Sequence, residues 1–174
     1  FALGVVGIFV FLAIFANVFG WITHQDPYLF NEDAINLDAG GVPIGPRSGQ
    51  SMQHWLGVEP GTGRDILARL IYGARVSLLV GFVSTLLTTV IGVVLGIVAG
   101  YRRGKIDAII SRFTDLTLAF PSLLLIIALT RPFTQRLESF GVPEGNPARL
   151  TYIVLVLSLF GWVYVARIVR GQTL

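Results

Sequence analysis

The sequence has no cysteine and only two histidines. Without cysteine, the chain can form neither a disulfide framework nor a thiolate metal site. The histidines, His24 and His54, are isolated, and no HExxH motif is present, so a zinc-protease helix is excluded as well. We predict a surface or packing role for both.

Charge is also scarce. Charged residues make up 13% of the chain and hydrophobic residues 53%, whereas soluble domains carry roughly 25% charged residues. The mean hydropathy is +0.73. Because so few charges cannot coat a soluble globule of this size, the composition predicts a protein whose solvent is lipid.

The apolar residues are concentrated in runs, and a bilayer core needs roughly 17–25 helical residues to be crossed. The runs cover residues 1–22, 76–100, 108–129 and 150–166. The last run is short, but Arg149 and Arg167 can snorkel at its two ends. We therefore predict an all-α integral membrane protein with four spans. Because Phe1 already lies inside an apolar run and Leu174 closely follows another, we expect the native protein to be longer.

The shortest connector predicts the orientation, because the positive-inside bias acts through short loops near span ends. Arg102, Arg103 and Lys105 crowd this connector, which we place in the cytoplasm. The predicted organisation is a transmembrane helix over 1–22, an extracytoplasmic segment over 23–75 with an interfacial helix over 62–75, a transmembrane helix over 76–101, a cytoplasmic hairpin over 102–106, a transmembrane helix over 107–129, an extracytoplasmic loop over 130–149, a transmembrane helix over 150–167 and a cytoplasmic region that begins over 168–174.

The outer segment is rich in turn-forming residues between positions 26 and 61, and its prolines argue against regular strands. Thr62 and Asp65 form a loose capping box at the start of an amphipathic helix. A short helix of this kind lies in the membrane interface. Two interpretations stay open: the helix only anchors the next span, or it forms part of an outer vestibule that meets a partner.

Small residues recur at intervals of three or four along the second span. Gly92, Gly96 and Gly100 form a double GxxxG repeat, and Gly81 precedes them on the same helix. Small side chains at this spacing let helix backbones approach closely. We predict that these four glycines pack against neighbouring helices, and direct contact with a substrate is the lesser alternative.

The third span contains charges inside an apolar run. Asp115 lies about 13 Å along the helix from Ile106, near the bilayer midplane. A carboxylate there costs at least about 2.5 kcal/mol unless it is paired or wetted. Asp115 either pairs with Arg112 or a neighbouring helix, or it faces a water-filled path and acts on the substrate or the gate. Pro121 frees a carbonyl and predicts a bend.

Several stretches resemble a known family. Residues 54–57 and 63–78 resemble the signature of the C-type permease subunits of bacterial dipeptide and oligopeptide ABC importers, a group that also includes nickel and glutathione importers. Residues 112–124 resemble the third span of that family. Residues 161–162 and 166–172 resemble the segment that leads to its cytoplasmic coupling loop. Residues 1–53 carry little of the resemblance, and the coupling helix itself is expected beyond Leu174.

The resemblance implies a multi-pass protein of the bacterial plasma (inner) membrane, with six spans in the full chain. It implies two related permeases that form one path for di- or oligopeptides, two cytoplasmic ATP-binding subunits and an extracytoplasmic substrate-binding protein, with no nucleic acid. Nickel or glutathione is an alternative substrate. Gly104-Lys105 lacks the upstream glycine of a phosphate loop, so ATP and Mg²⁺ are expected on the partners, and this subunit is expected not to be an enzyme.

The candidate site residues fall into three groups. The path candidates are Ser111, Arg112, Asp115, Phe120, Pro121 and Ser122. The vestibule and partner candidates are His54, Trp55, Arg64, Asp65, Arg69, Tyr72 and Arg75. The candidates on the ATPase-coupling side are Arg167, Arg170 and Gln172.

Three other functions stay open. An ion- or proton-coupled transporter would use Asp115 as its carrier. A membrane-embedded enzyme would need a nucleophile–base pair or a metal cluster, and the sequence shows neither. A purely structural membrane subunit is the third. Copurification with a nucleotide-binding protein would separate the ABC importer from all of them.

Overall fold

A computed structural model describes residues 1–173. The chain divides into two compact units, residues 1–79 and the residues from Val80 onward. The first unit contains α1 (Ala2–Ile14), α2 (Ala16–Thr23), a 3-10 turn (Glu32–Ala34), β1 (Ile35–Asn36), β2 (Val42–Pro43) and α3 (Pro46–Gly49); α4 (Ile66–Arg102) contributes to both units; the second unit contains α5 (Lys105–Ala119), α6 (Ser122–Ser139) and α7 (Asn146–Thr173).

The predicted first span is a broken helix. α1 and α2 meet at Phe15 with a bend of 64°. Arg75 of α4 fills the break: its Nε donates to the carbonyl of Ala13 at 2.9 Å and its Nη2 to the carbonyl of Ile14 at 3.2 Å. Carbonyls at a helix end have no partner within the helix, and at membrane depth they need another donor. The guanidinium therefore supplies the donors that a continuous helix would have provided.

The outer segment has almost no regular structure, in line with its turn-rich composition. β1 and β2 form an antiparallel pair of two residues each. Gly63 closes the segment onto an earlier turn: its φ is +65°, and a Cβ at this position would lie 2.1 Å from the carbonyl oxygen of Asn31. The Nδ2 of Asn31 donates to the carbonyl of Gly63 at 2.9 Å. Only glycine fits this approach.

α4 differs from the prediction of an interfacial helix over 62–75 followed by a span from residue 76. One helix runs without interruption from Ile66 to Arg102, a length of about 55 Å. No proline interrupts residues 66–102, and Gly73 alone is not enough to end a helix. Ile71 is buried, whereas Leu70, its neighbour in the chain, is exposed.

The second unit begins with a sharp bend where one was predicted. α5 and α6 meet at Phe120 and Pro121 with an angle of 84°. α6 then continues to Ser139, through a stretch that was predicted to be loop, with Pro132 inside the helix. The predicted loop over 130–149 is therefore reduced to a short connection before Asn146, where α7 begins.

α7 holds the core of the second unit. Trp162, Val163 and Ala166 form a buried cluster against Leu95 of α4 and Leu118 of α5. α4 and α7 are long and apolar enough to cross a membrane, and the number of such spans in residues 1–173 rises from two to four if each bent pair is one span. The predicted helical membrane fold is confirmed, and the prediction of four spans corresponds to the higher number.

Candidate functional site

The double GxxxG repeat of α4 faces α7. A Cβ added to Gly92 would lie 2.6 Å from the Cβ of Val165, and one added to Gly96 would lie 2.7 Å from the carbonyl oxygen of Ala166. At Gly100 the nearest atom of α7 would be closer still, at 1.9 Å. The two backbones approach each other only because no side chain separates them.

Gly81 does not share this arrangement. A Cβ added there would meet no atom within 4 Å among the described residues, so the predicted helix contact at Gly81 is not found in this part of the chain. Near that level the contact comes from the other helix, where a Cβ added to Gly161 would lie 2.8 Å from Oγ1 of Thr88. The sequence spacing alone could not show which small residues meet a neighbour.

An ion pair joins the start of α5 to the end of α7. The Nε of Arg170 lies 2.6 Å from Oδ1 of Asp107, and its Nη2 donates to Oδ2 at 2.7 Å. The two side chains are 34% and 19% exposed, respectively. The Nη2 contact is a hydrogen bond, whereas the Nε contact is an ion pair in which Nε makes no hydrogen bond within the described residues.

A second ion pair lies on the same two helices. The Nη2 of Arg167 donates to Oδ1 of Asp115 at 2.5 Å, with both side chains well exposed. Of the two pairings considered for Asp115, the structure shows the one with a neighbouring helix and not the one with Arg112. Arg112 instead borders a shallow apolar surface with Phe113 and Leu116. The exposed charges of the pair are available to water or to another molecule.

The two ion pairs border a cleft of about 330 Å³ in the second unit. Its walls come from α4, α5 and α7, and its lining residues are Ala99, Ile110, Ser111, Thr114, Asp115, Ala166, Arg167, Arg170 and Gly171. The hydroxyl of Ser111 donates to Oδ1 of Asp107, and the hydroxyl of Thr114 donates to the carbonyl of Ser111. The cleft combines a positive, a negative and an apolar wall in a helical bundle.

The break between α5 and α6 borders a different cleft, of about 290 Å³. Phe120 and Ser122 line it together with Tyr164 and Gly161 of α7. Pro121 lies in the break itself and has an extended backbone. Irregular backbone at membrane depth is tolerated where it is buried in protein or lines a water-filled cavity. The path candidates are therefore divided between two clefts and the apolar surface at Arg112.

In the first unit, His54 and Asp65 form a buried pair. The Nδ1 of His54 lies 2.9 Å from Oδ2 of Asp65, and both residues are less than a tenth exposed. The other oxygen, Oδ1, accepts a hydrogen bond from the backbone N–H of Ala68 at 2.7 Å and caps α4. Asp65 is thus the helix cap, in place of the predicted capping box at Thr62. His54 has the packing role that the sequence predicted.

Glu59 forms ion pairs with two arginines, Arg64 and Arg69. Its Oε2 accepts hydrogen bonds from Thr62, at 2.7 Å, and from Arg69, and lies 3.4 Å from the Nε of Arg64. The bond from Thr62, followed by that from Arg69, lowers the pKa of Glu59 from its ordinary value of 4.5. Arg69 therefore pairs with Glu59 and not with Asp65, four residues earlier on its own helix.

The remaining vestibule candidates serve different contacts. Trp55 is half exposed, and its indole N–H donates to the carbonyl of Met52 at 3.0 Å. Tyr72 lies against α2, where its hydroxyl would be 2.9 Å from a Cβ added to Gly20. Arg75, which fills the break between α1 and α2, also stands over the Tyr72 ring at 5.9 Å. Only Trp55 among these three presents a large exposed surface.

Sequence reasoning missed Asp107 and Glu59. Each is an acidic residue whose partners lie on another element or many positions away, so no spacing within one helix could identify them. A signal for Asp107 was present: Arg170 lies three residues beyond a predicted span, on the same predicted face of the membrane. No group of three or more His, Cys, Asp or Glu side chains within residues 1–173 could hold a metal ion.

The second half of the chain matches a known family. Residues 92–174 match the family described as "Binding-protein-dependent transport system inner membrane component". The matched stretch is 83 of the 174 residues, and it is similar to this family. The match includes the glycine repeat, both ion pairs and the helix break, and it agrees with helices that can cross a membrane. The resemblance deduced from the sequence is confirmed, as is the location in the bacterial inner membrane.

Curated relatives extend the match to almost the whole chain. The oligopeptide transport system permease protein OppC of Bacillus subtilis (strain 168) is 32% identical over 98% of this chain and 47% of its own length. The dipeptide transport system permease protein DppC of the same strain is 35% identical over 99% and 47%. The glutathione transport system permease protein GsiD of Pectobacterium atrosepticum is 36% identical over 97% and 48%. The chain spans about half the length of the curated relatives it matches.

Proposed function

We propose that this chain belongs to the transmembrane permease subunit of a binding-protein-dependent ABC importer and forms part of the path for di- or oligopeptides. The observation that carries the proposal is the match along 98% of the chain to an oligopeptide permease and along 99% to a dipeptide permease. Peptides rank above glutathione because two of these relatives are named for peptides, although glutathione is itself a peptide derivative.

The proposed assembly contains a second homologous permease, two cytoplasmic ATP-binding subunits and an extracytoplasmic substrate-binding protein. The family description, which names a binding-protein-dependent system, supports the last of these. ATP and Mg²⁺ would be held by the ATP-binding subunits, so this subunit would carry no catalytic residue. The permease pair would alternate between outward-facing and inward-facing states as ATP is bound and hydrolysed.

The geometry of the second unit supports a peptide path. The pair of Asp115 and Arg167 offers one charge of each sign in an exposed cleft, and a peptide backbone likewise carries donors, acceptors and terminal charges. A charged pair at membrane depth is costly unless water or a polar ligand reaches it. Phe120 and Ser122 extend the polar and aromatic lining at the helix break.

The first unit supports a role at the outer face. Glu59, Arg64 and Arg69 tie the segment before α4 to that helix, and His54 fixes its cap. This arrangement holds Trp55 in an exposed position. Under the predicted orientation these residues face the substrate-binding protein.

The test uses the full-length protein, reconstituted with its partners in proteoliposomes. ATP inside the vesicles and binding protein outside should drive uptake of a labelled dipeptide, and a non-hydrolysable ATP analogue should abolish it. A proton ionophore should leave uptake unchanged. Uptake that needs a proton gradient and no ATP would instead establish a secondary transporter. Competition by unlabelled dipeptide, oligopeptide, glutathione and Ni²⁺ would rank the substrates.

A further inference from the structure

We propose that Asp107 and Arg170, supported by Asp115 and Arg167, are positioning residues that make α5 move with the end of α7 during transport. This inference rests on the proposed function, because the end of α7 is the part that lies toward the ATP-binding subunits in the predicted orientation. The consequence is that force applied to α7 reaches the helix break at Phe120 through two ion pairs.

α4 is held against α7 by its glycine contacts. Gly92, Gly96 and Gly100 bring the α4 backbone against α7 so closely that a single added carbon would overlap at each position. Contacts of this kind lock two helices over their whole shared length, because neither can slide without a collision. α4 and the last turns of α7 therefore form one rigid pair.

α5 is held against α7 by apolar contacts and by ion pairs. Its contact with α7 has an apolar part, where Phe113 stacks on Trp162 with ring centroids 6.2 Å apart and Leu118 joins the same cluster. No glycine contact comparable to that of α4 is found between α5 and α7 in the described residues. The polar part consists of the two ion pairs, and these lie on the last turns of α7.

The two ion pairs differ in their contacts and in their exposure to solvent. Arg170 and Asp107 make two contacts, at 2.6 Å and 2.7 Å, and are mostly shielded from solvent. Arg167 and Asp115 make one contact and are 49% and 65% exposed. Because solvent screens a shielded ion pair less than an exposed one, Arg170 and Asp107 are the main link, and the exposed pair can open to solvent or substrate while that link persists.

The other end of α5 lies at the break between α5 and α6. α5 ends at Ala119, and the chain turns by 84° before α6 begins. A break between two helices concentrates backbone rotation at a few residues, as in hinges that close domains around a ligand. α6 is held by the beginning of α7, where the hydroxyl of Tyr152 donates to the carbonyl of Ile126 at 2.9 Å. Because α5 is tied to the last turns of α7 and α6 to its first turns, a deformation of α7 between these two contacts changes the angle at Phe120 and so the shape of the cleft beside it.

The experiment uses the complete complex in proteoliposomes and measures ATP hydrolysis and peptide uptake in the same vesicles. The variants are Asp107→Asn, Arg170→Gln and the exchange Asp107→Arg with Arg170→Asp. We expect each single variant to assemble, to hydrolyse ATP and to lower uptake per ATP by roughly two- to thirtyfold, the range seen for mutations on coupling routes. The exchange should restore the ratio, because it rebuilds the pair with reversed signs.

Lys105→Gln is the matched control. It removes a charge from the same end of α5, from an exposed residue that makes no ion pair with the described residues, and should leave uptake per ATP unchanged. Asp107→Glu, which keeps the charge, should retain most of the ratio. A purely structural role would instead lower yield, hydrolysis and uptake together and leave their ratio intact.

The outcomes separate the two proposals. If the wild-type complex shows no ATP-dependent uptake, the proposed function fails. If the wild type transports and Asp107→Asn keeps its uptake per ATP, the link is overturned while the function stands. If the single variants do not assemble, the exchange decides: an assembled exchange with the wild-type ratio supports the link, and an exchange that does not assemble or is still uncoupled overturns it.

Discussion

Substitution of Gly96 by leucine tests the contact between α4 and α7. A Cβ at this position would lie 2.7 Å from the carbonyl oxygen of Ala166 and 2.8 Å from the Cβ of Val169, whereas ordinary contacts begin at 3.4 Å. The helices must therefore move apart before the rest of the leucine is accommodated. Overpacking of this kind costs about 1–3 kcal/mol, so the ratio of folded to unfolded protein should fall roughly 5- to 150-fold.

The assay is thermal unfolding of the full-length protein in detergent, together with the yield of monodisperse protein. The melting temperature should fall by roughly 2–4 °C for each kcal/mol lost. Gly81→Leu is the control on the same helix, because a Cβ at Gly81 meets no described atom within 4 Å. Equal loss in both variants, or no loss in Gly96→Leu, would refute the close-packing explanation.

Three further predictions concern charged side chains. Asp115→Leu should lower uptake by roughly tenfold, the effect of about 1.4 kcal/mol on a rate, while the complex still assembles; unchanged uptake would assign the residue to packing. Arg75→Gln should lower the free energy of unfolding by about 2 kcal/mol, as expected for charged hydrogen bonds, because the carbonyls at the α1–α2 break lose their donors, and chemical denaturation would measure it; a stability equal to wild type would contradict this role. Because the pKa of Glu59 is lowered in the folded state, its stabilising contacts are present above pH 4.5 and are lost as the pH falls through the lower folded value. Limited proteolysis of the outer segment should therefore increase in that acid range for wild type, and a Glu59→Gln variant with the same pH dependence would argue against this residue as the cause.

The membrane class, the family and the bend at Pro121 could be predicted from the sequence because each is a local signal. Apolar runs of span length need no tertiary information, and proline disrupts a helix wherever it meets a backbone bond. The glycine repeat likewise predicted close packing at Gly92 and Gly96. It could not exclude Gly81, because the spacing of small residues does not show which of them a neighbouring helix approaches.

Helix limits were harder to predict because they depend on contacts between distant residues. Asp65 caps α4 with one carboxylate oxygen while His54, eleven positions earlier, contacts the other, and the helix begins at Ile66 and continues into the span. α6 passes through Pro132 and ends at Ser139, inside the stretch over 130–149 that was predicted to be a loop. The hydroxyl of Thr134, just after the proline, donates to the carbonyl of Thr130 at 2.8 Å, a back-bond that favours a bend in the helix and does not end it.

The ionic partners were the least predictable part of the candidate site. Asp115 has Arg112 three residues before it, at the spacing of helix neighbours, yet its partner is Arg167, 52 positions later. The choice depends on which helices are adjacent and on the reach of each side chain. Neither is encoded in the local spacing of charges.

The proximity of Arg170 to Asp107 also bears on how many times the chain crosses the membrane between α5 and α7. A bent helix pair such as α5 and α6 can either traverse the bilayer or dip into it and return. If α7, which is long enough to cross, does cross the bilayer, its end beside the start of α5 places Asp107 on the face opposite to Asn146. The bent pair would then have to supply a crossing, as the predicted third span does, and accessibility labelling of residues next to Asp107 and Asn146 in the full-length protein would test this.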